Sequence, residues 1–249
     1  MKIQVFGPNG VLGRAVVRAI MRRGHTWERN HADLEIVTAG HIHAPVVINC
    51  AGLVKQREVS ASRFMLVNAY GPHHLAEACD RAHARLIHVS TDCVFEGPGP
   101  HAEWDAVDCE DVYGRSKFAG EIYHAPHLTV RTSFVGWGQR GLLADLQAIK
   151  TIRASNQLLW SGHTVDTVAD VLVTLAERET VFGLLHTPGE YVSRWELCWA
   201  LKKRFDLPAL IVRDDEYAAD RRLVSTAWGA WLLPELPSFA AQLETMERP

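Results

Sequence analysis

Apolar and polar positions along the chain alternate between two periods. Lys2 to Phe6 reads as a short strand, and Gly7-Pro8-Asn9-Gly10 breaks it. From Val11 to Arg23 the residues Val11, Leu12, Ala15, Val16, Ala19 and Ile20 recur at helical spacing, with Gly24 as a natural stop. A second strand is expected to end near Glu28-Arg29-Asn30. Val46-Val47-Ile48, Leu86-Ile87-His88-Val89 and Leu128-Thr129-Val130 read as buried strands, and helical stretches are expected over 62–69, 73–83 and 116–123. Strands alternating with helices predict an α/β fold, a doubly wound parallel sheet covered on both faces.

Beyond about residue 135 the pattern predicts more helix and fewer strands. Thr164 is placed to cap a helix running through Val168 and Val171 to Ala176, and Ser193-Arg194-Trp195-Glu196 has the form of a capping box. Leu184-Leu185-His186 reads as a single strand closed by Thr187-Pro188-Gly189. The division expected is a dinucleotide-binding domain over 1–137 and a smaller substrate lobe over 138–249, packed over the carboxyl ends of the sheet and exchanging elements with the first.

Composition narrows the class. With 249 residues, 47% hydrophobic and 22% charged, the chain can bury a sizeable core. The apolar runs are far shorter than the ~20 residues of a membrane span, and the first residues lack the apolar region of a signal peptide. A cytoplasmic protein without a membrane partner is the expectation. The net charge of −3 argues against nucleic acid as a partner. The five cysteines are scattered without a C-x-x-C pair, which predicts reduced thiols. His41-x-His43 and His73-His74 have no Cys or carboxylate cluster at ligand spacing, so no metal is expected.

Three constellations carry candidate chemistry. Gly7, Gly10 and Gly13 lie at G-x-x-G-x-x-G spacing between the first strand and first helix, where side-chain-free backbone admits a pyrophosphate at a helix N-terminus. In Tyr113-Gly114-Arg115-Ser116-Lys117 the Tyr and Lys stand four apart on one helix face, so the ammonium can favour the ionised phenol. Ser90-Thr91-Asp92 follows a strand predicted to be central and sets hydroxyls at its carboxyl end, where doubly wound sheets bind ligands. Taken singly, each could be a tight turn, a solvated lysine or a loop closure.

In this order, with Asn49-Cys50-Ala51-Gly52, Val67-Asn68-Ala69, Cys93-Val94-Phe95 and Arg131-Thr132-Ser133, the motifs resemble the extended short-chain dehydrogenase/reductases. More closely, the chain resembles the dTDP-4-dehydrorhamnose reductase group, and the resemblance covers it to about residue 137. Gly183-Leu184-Leu185-His186 and Arg221-Arg222-Leu223 fit the family's substrate lobe more loosely. The resemblance implies a Rossmann-type fold and NAD(P)H-dependent reduction of a keto group on a nucleotide-linked deoxysugar. It implies catalytic roles for Thr91, Tyr113 and Lys117, with Asn68 in support. Thr91 would hold the substrate carbonyl, Tyr113 would protonate it, and Lys117 would hold the nicotinamide ribose and lower the phenol pKa. Cofactor contacts are implied for Gly7, Asn9, Gly10, Val11, Leu12, Gly13, Asp33, Leu34, Ala51 and Gly52, besides Tyr113 and Lys117.

Two features depart from the group. Cys93 stands where many members carry Tyr, and Leu53-Val54-Lys55-Gln56-Arg57 lacks the usual acidic pattern. Both lie where substrate is expected, so the sugar stays open. No acidic residue is evident at the tip of the second strand, whereas Arg29, with Arg14, could pair a 2′-phosphate. NADP(H) is favoured over NAD(H), with Glu28 as the residue that could serve NAD. A sugar-nucleotide epimerase or dehydratase on the same scaffold is one alternative. A non-catalytic regulatory subunit like that of methionine adenosyltransferase is another, and a homodimer is compatible with each.

Overall fold

A computed structural model describes residues 1–30, 32–55, 59–227 and 235–248. Gln56 and Arg57 of the departing loop therefore lie outside the described residues. The strands are β1 (Lys2–Phe6), β2 (Thr26–Arg29), β3 (Val46–Asn49), β4 (Arg85–Thr91) and β5 (Leu128–Thr132), joined at one edge by β10 (Gly183–His186). They form a six-stranded sheet in the order β10-β5-β4-β3-β1-β2, every pair parallel. All residues of β3, β4 and β5 are buried, as a sheet covered on both faces requires.

Helix α1 (Val11–Arg22) buries Leu12, Ala15, Val16, Ala19 and Ile20 on one face of the sheet. Beside it lies α6 (Val165–Ala176), whose Val168, Val171, Leu172 and Leu175 join the same core. On the other face α3 (Gly71–Arg81) packs Leu75, Ala76, Ala78 and Cys79 against Phe6, Val47 and Leu86. The main sheet thus takes a strand and a covering helix from beyond residue 137. The chain crosses from β2 back to β3 over β1, so the strand order reverses between β1 and β3, and the crevice for a ligand opens there.

The second half holds more strands than its pattern predicts. They are β6 (Phe134–Val135), β7 (Thr151–Ala154), β8 (Leu158–Trp160), β9 (His163–Thr164), β11 (Val192–Ser193), β12 (Leu210–Arg213) and β13 (Ala219–Asp220), paired in three small sheets. Segments of two to four residues are too short to show a period of two. With α5 (Leu142–Ala148), α7 (Arg194–Phe205) and α8 (Phe239–Thr245) they enclose a second core around Leu143, Leu197, Leu201 and Phe205. The capping box forms: Ser193 accepts from the Glu196 N–H, and Glu196 returns a carboxylate to the Ser193 N–H at 2.7 Å. Thr164 occupies the cap position of α6 without a cap hydrogen bond, its hydroxyl lying 3.1 Å from Thr167 Oγ1.

Two helices also differ from expectation. The segment read as helices over 62–69 and 73–83 is one continuous arm: α2 (Ala61–Met65), a π turn over Leu66–Tyr70, then α3. Pro72 sits in the first turn of α3, where it is tolerated. The helix expected over 116–123 is α4 (Val112–Ala119), started by Asp111 accepting the Gly114 N–H and ended at Gly120. A Cβ on Gly120 would meet Asn68 O at 2.0 Å, so the close seat of α4 on the π turn demands glycine there.

Candidate active site

The glycine turn sits at the crevice and divides its labour. Gly7 has φ +71, and a Cβ there would lie 2.7 Å from the Ala51 backbone; a Cβ on Gly13 would meet Gly7 O at 2.1 Å. These two glycines let β1, β3 and α1 converge. Gly10 meets only Gly7 O at 3.4 Å and is the open position of the turn. Asn9 and Gly10 are exposed and Val11 is half-buried, but Leu12 turns into the core. The carboxyl end of β3 completes the cradle: the Ala51 N–H donates to Asn49 Oδ1 at 3.0 Å, and Gly52 follows.

At the adjacent strand end Thr91 closes β4 with its hydroxyl 3.1 Å from Asp92 Oδ1, and it accepts the Cys93 N–H at 3.2 Å. Tyr113 rises beside it from the first turn of α4, half-buried and held edge-on by Phe64, ring centroids 6.3 Å apart. Its phenol pKa is raised, by burial first and by the Cys93 and Asp92 side chains, while a hydrogen bond with Thr91 acts the other way. The Lys117 Nζ donates to Val89 O at 2.7 Å. In this state Tyr113 is an acid with its proton in place. Burial pushes Lys117 down to about 8, with Glu121 opposing.

Asn68 is placed by the π turn. Its Oδ1 accepts the Leu53 N–H at 2.8 Å, while its Nδ2 donates to Leu53 O at 3.0 Å and Ser116 Oγ at 3.1 Å. All its amide groups are spent tying the loop after β3 to α4, which makes it a structural brace. Cα of Gly52 is enclosed by Asn68 and Lys117: a Cβ there would lie 3.2 Å from Asn68 Oδ1 and 4.0 Å from Lys117 Nζ.

The adenine-side residues are arranged less uniformly. Arg29 ends β2 and is exposed. Glu28 is paired with Lys2, which lowers its pKa and withdraws it from the strand tip. Arg14 turns back to donate to Asn9 O at 3.0 Å, over the glycine turn. Asp33 is exposed, but the Leu34 side chain is buried against Gly71 and its carbonyl lies 3.2 Å from His74 Nδ1.

Just beyond Thr91, Cys93 Sγ receives Arg221 Nη1 at 3.6 Å, and burial pushes the thiol up to about 12. Arg221 also reaches Tyr217 at 3.2 Å and Glu96 at 3.4 Å, while Lys55 pairs with Asp111 at 2.7 Å. Sequence reasoning passed over Arg221 as an individual residue and missed Glu121 and Val89 O altogether. For Glu121 a signal existed: it stands four residues beyond Lys117.

One cluster elsewhere has ligand-like donors: Asp80, His124 and His127, within 4.8 Å of one another. It lies at the amino ends of the strands, where His127 Nδ1 accepts the Leu86 N–H at 3.1 Å. A neutral His127 therefore carries its proton on Nε2, the nitrogen facing Asp80 at 3.0 Å, and that lone pair is not free for a metal.

A glycine turn at the crossover point of a parallel sheet, with Thr, Tyr and Lys converging on the next strand end, defines an extended short-chain dehydrogenase/reductase. Within that class the chain belongs to the RmlD substrate binding domain family, which matches residues 1–217. A dTDP-4-dehydrorhamnose reductase of Mycobacterium tuberculosis is 42% identical over 180 residues, covering 61% of this chain and 57% of that protein. A probable low-salt glycan biosynthesis reductase of Haloferax volcanii is 33% identical over 202 residues, covering 68% of this chain and 64% of that one. The matched part thus spans somewhat over half the length of these relatives. Among solved structures, a dTDP-4-dehydrorhamnose reductase of Bacillus anthracis in complex with NADP superposes with a TM-score of 0.83 at 20% identity, covering 98% and 97% of the two chains.

Proposed function

We propose that this chain is an NADPH-dependent reductase of a keto group on a nucleotide-linked deoxysugar, acting in the cytoplasm. The observation that carries the reading is the meeting of Thr91, Tyr113 and Lys117 beside the open glycine turn. The residues present suit a dinucleotide. Gly10 leaves the turn open at the N-terminus of α1, Ala51 and Gly52 offer backbone beneath it, and Arg29 is an exposed cation for a 2′-phosphate. Asn9, Val11, Leu12 and Gly13 shape the pyrophosphate loop, and Asp33 with the Leu34 backbone borders the adenine. NAD(H) is the second choice.

When bound, the cofactor supplies the hydride to the carbonyl carbon. Thr91 donates a hydrogen bond to the carbonyl oxygen and orients it. Tyr113, still protonated at neutral pH, gives its hydroxyl proton to the same oxygen as negative charge develops there. Lys117 turns from Val89 O to the nicotinamide ribose and stabilises the phenolate left behind. Asn68 keeps the loop after β3 in place for this geometry. In this reading residues 1–137 hold the cofactor and 138–249 the sugar, the second part lending β10 and α6 to the first. Met65, Leu66 and Tyr70, exposed along the α2–α3 arm, suit pairing into a homodimer.

The experiment is NADPH consumption with a panel of 4-keto-6-deoxy nucleotide sugars. Stoichiometric oxidation with one of them is expected. Turnover without net oxidation would favour an epimerase or dehydratase, and cofactor binding without any turnover would favour a regulatory subunit.

A further inference from the structure

The buried ammonium of Lys117 raises a question of charge. The residue is 6% exposed, and Val89 O is its hydrogen-bond acceptor. Among the described residues no carboxylate forms an ion pair with it, and a buried cation without a counter-charge is costly.

The groups packed around it are mostly neutral. From the segment after β3 comes the Cys50 thiol, which burial pushes up to about 12. From β4 comes His88, fully buried, whose Nδ1 lies 3.1 Å from Asn49 Nδ2; burial, then Lys117 and His73, hold its pKa well below the usual range. From its own helix comes the protonated Tyr113, and from the π turn the amide of Asn68. The anion that acts on Lys117 is Glu121, in the segment that follows α4.

Glu121 is firmly held. Its Oε1 accepts Ser90 Oγ at 2.5 Å and Arg131 Nε at 2.8 Å, and its Oε2 accepts Arg131 Nη2 at 2.7 Å and Tyr123 OH at 2.6 Å. The side chains of Arg131 and Glu121 are 2% and 0% exposed. Lys117 and Glu121 therefore rest on consecutive residues of β4, Val89 and Ser90, directly before Thr91. We propose that Glu121 is a positioning residue: it supplies the counter-charge of Lys117 and, through Ser90, fixes the strand end that carries Thr91. The role in turnover rests on the reductase reading, whereas the charge relation is a property of the chain without substrate.

The test is the titration of Lys117 in the full chain labelled with ε-¹³C lysine, its resonance assigned by loss in Lys117→Arg. A midpoint near 8 is expected in the parent. Glu121→Gln should lower it by roughly one pH unit, and the basic limb of the activity profile should move with it. Because Glu121→Gln leaves Arg131 uncompensated and weakens the fold, Glu121→Gln with Arg131→Gln is the second variant, with the same shift in direction expected. An unmoved Lys117 titration in either folded variant overturns the counter-charge role. Ser90→Ala keeps the carboxylate and removes its hold on the strand. It should leave the titration in place and lower kcat about tenfold without changing the KM for NADPH; an unchanged kcat overturns the strand-fixing role. Failure of the parent to bind NADPH or reduce any keto sugar would sink the reductase reading and leave the lysine titration to be judged separately.

Discussion

The two ends of the central sheet use the same residue types to opposite effect. At the amino ends Arg85 spends its guanidinium on three backbone carbonyls, those of Pro126 at 3.1 Å, Leu175 at 2.7 Å and Val181. His127 is likewise committed on its Nδ1 to the Leu86 N–H. At the carboxyl ends Lys117 spends one hydrogen bond on Val89 O, and the buried polar atoms His88 Nε2 and Thr132 Oγ1 have no partner among the described residues. Burial and charge are similar at both ends. At the amino ends His127 Nε2 also lacks a hydrogen bond but faces Asp80 at 3.0 Å. The ends therefore differ in degree, and the larger spare hydrogen-bonding capacity lies at the carboxyl ends.

That contrast breaks most sharply at Tyr113. Tyr113→Phe removes one hydroxyl from a ring still held by Phe64, so the fold and NADPH affinity should stay near the parent's. Turnover should fall ~10²–10⁴-fold, the usual range for a general acid. Single-turnover ketone reduction, with cofactor binding followed by fluorescence, checks both. A variant reducing substrate at the parent rate would return the regulatory-subunit reading to the front. The opposite end predicts the opposite response. Arg85→Met should leave kcat per folded molecule intact and cost about 4 kcal/mol of stability, because three buried carbonyls lose their donor. Urea unfolding with an activity assay on the folded fraction measures it.

The network under the site is sharpened by acid. Burial, and Arg131 beside it, push the His186 imidazole down to about 4. An unfolded histidine titrates near 6.5, so below that pH the unfolded chain takes up the proton first. The stability contribution is complete above about 6.5 and is lost as pH falls towards 4, by up to about 3 kcal/mol. His186→Asn should flatten the thermal-denaturation profile across that window. An equally steep loss in the variant would place the acid sensitivity elsewhere.

How far the sequence disclosed all this follows from what kind of order each part has. The parallel sheet was legible because its strands are continuous apolar runs and its first turn is marked by three glycines. The placement of Thr91 at a strand end and of Tyr113 and Lys117 on one helix was legible because each lies at a fixed offset from a strand or helix end. The strands β6 to β9 and β11 to β13 were not, since two to four residues carry no periodicity. Glu121 was legible only as a residue four beyond Lys117, because its partners Ser90 and Arg131 sit 31 and 10 positions away and only the assembled sheet brings them together. The π turn lies at the junction of the two expected helices, where the backbone changes its hydrogen-bond step without breaking the arm.

The smallest expected effect concerns the strand tip that no motif covers. Glu28 and Arg29 are neighbours at the end of β2, and alternation sends their side chains to opposite faces. Glu28 is taken by Lys2 on the adjoining strand, whereas Arg29, in register with Val5 of β1, is exposed. A ribose 2′-hydroxyl would call for the carboxylate, and a 2′-phosphate for the guanidinium. Arg29→Ala should therefore weaken NADPH binding about tenfold, the scale of one exposed charge-assisted contact, and leave NADH binding within twofold. Raising the salt concentration should shrink the parent's preference for NADPH, because the contact is solvent-exposed and screened. Calorimetric titration with both dinucleotides reads the ratio directly. Equal losses for NADPH and NADH would show that Arg29 supports the loop after β2 rather than selecting the phosphate, and would shift the choice of cofactor to Arg14, which already leans over the glycine turn through its bond to Asn9 O.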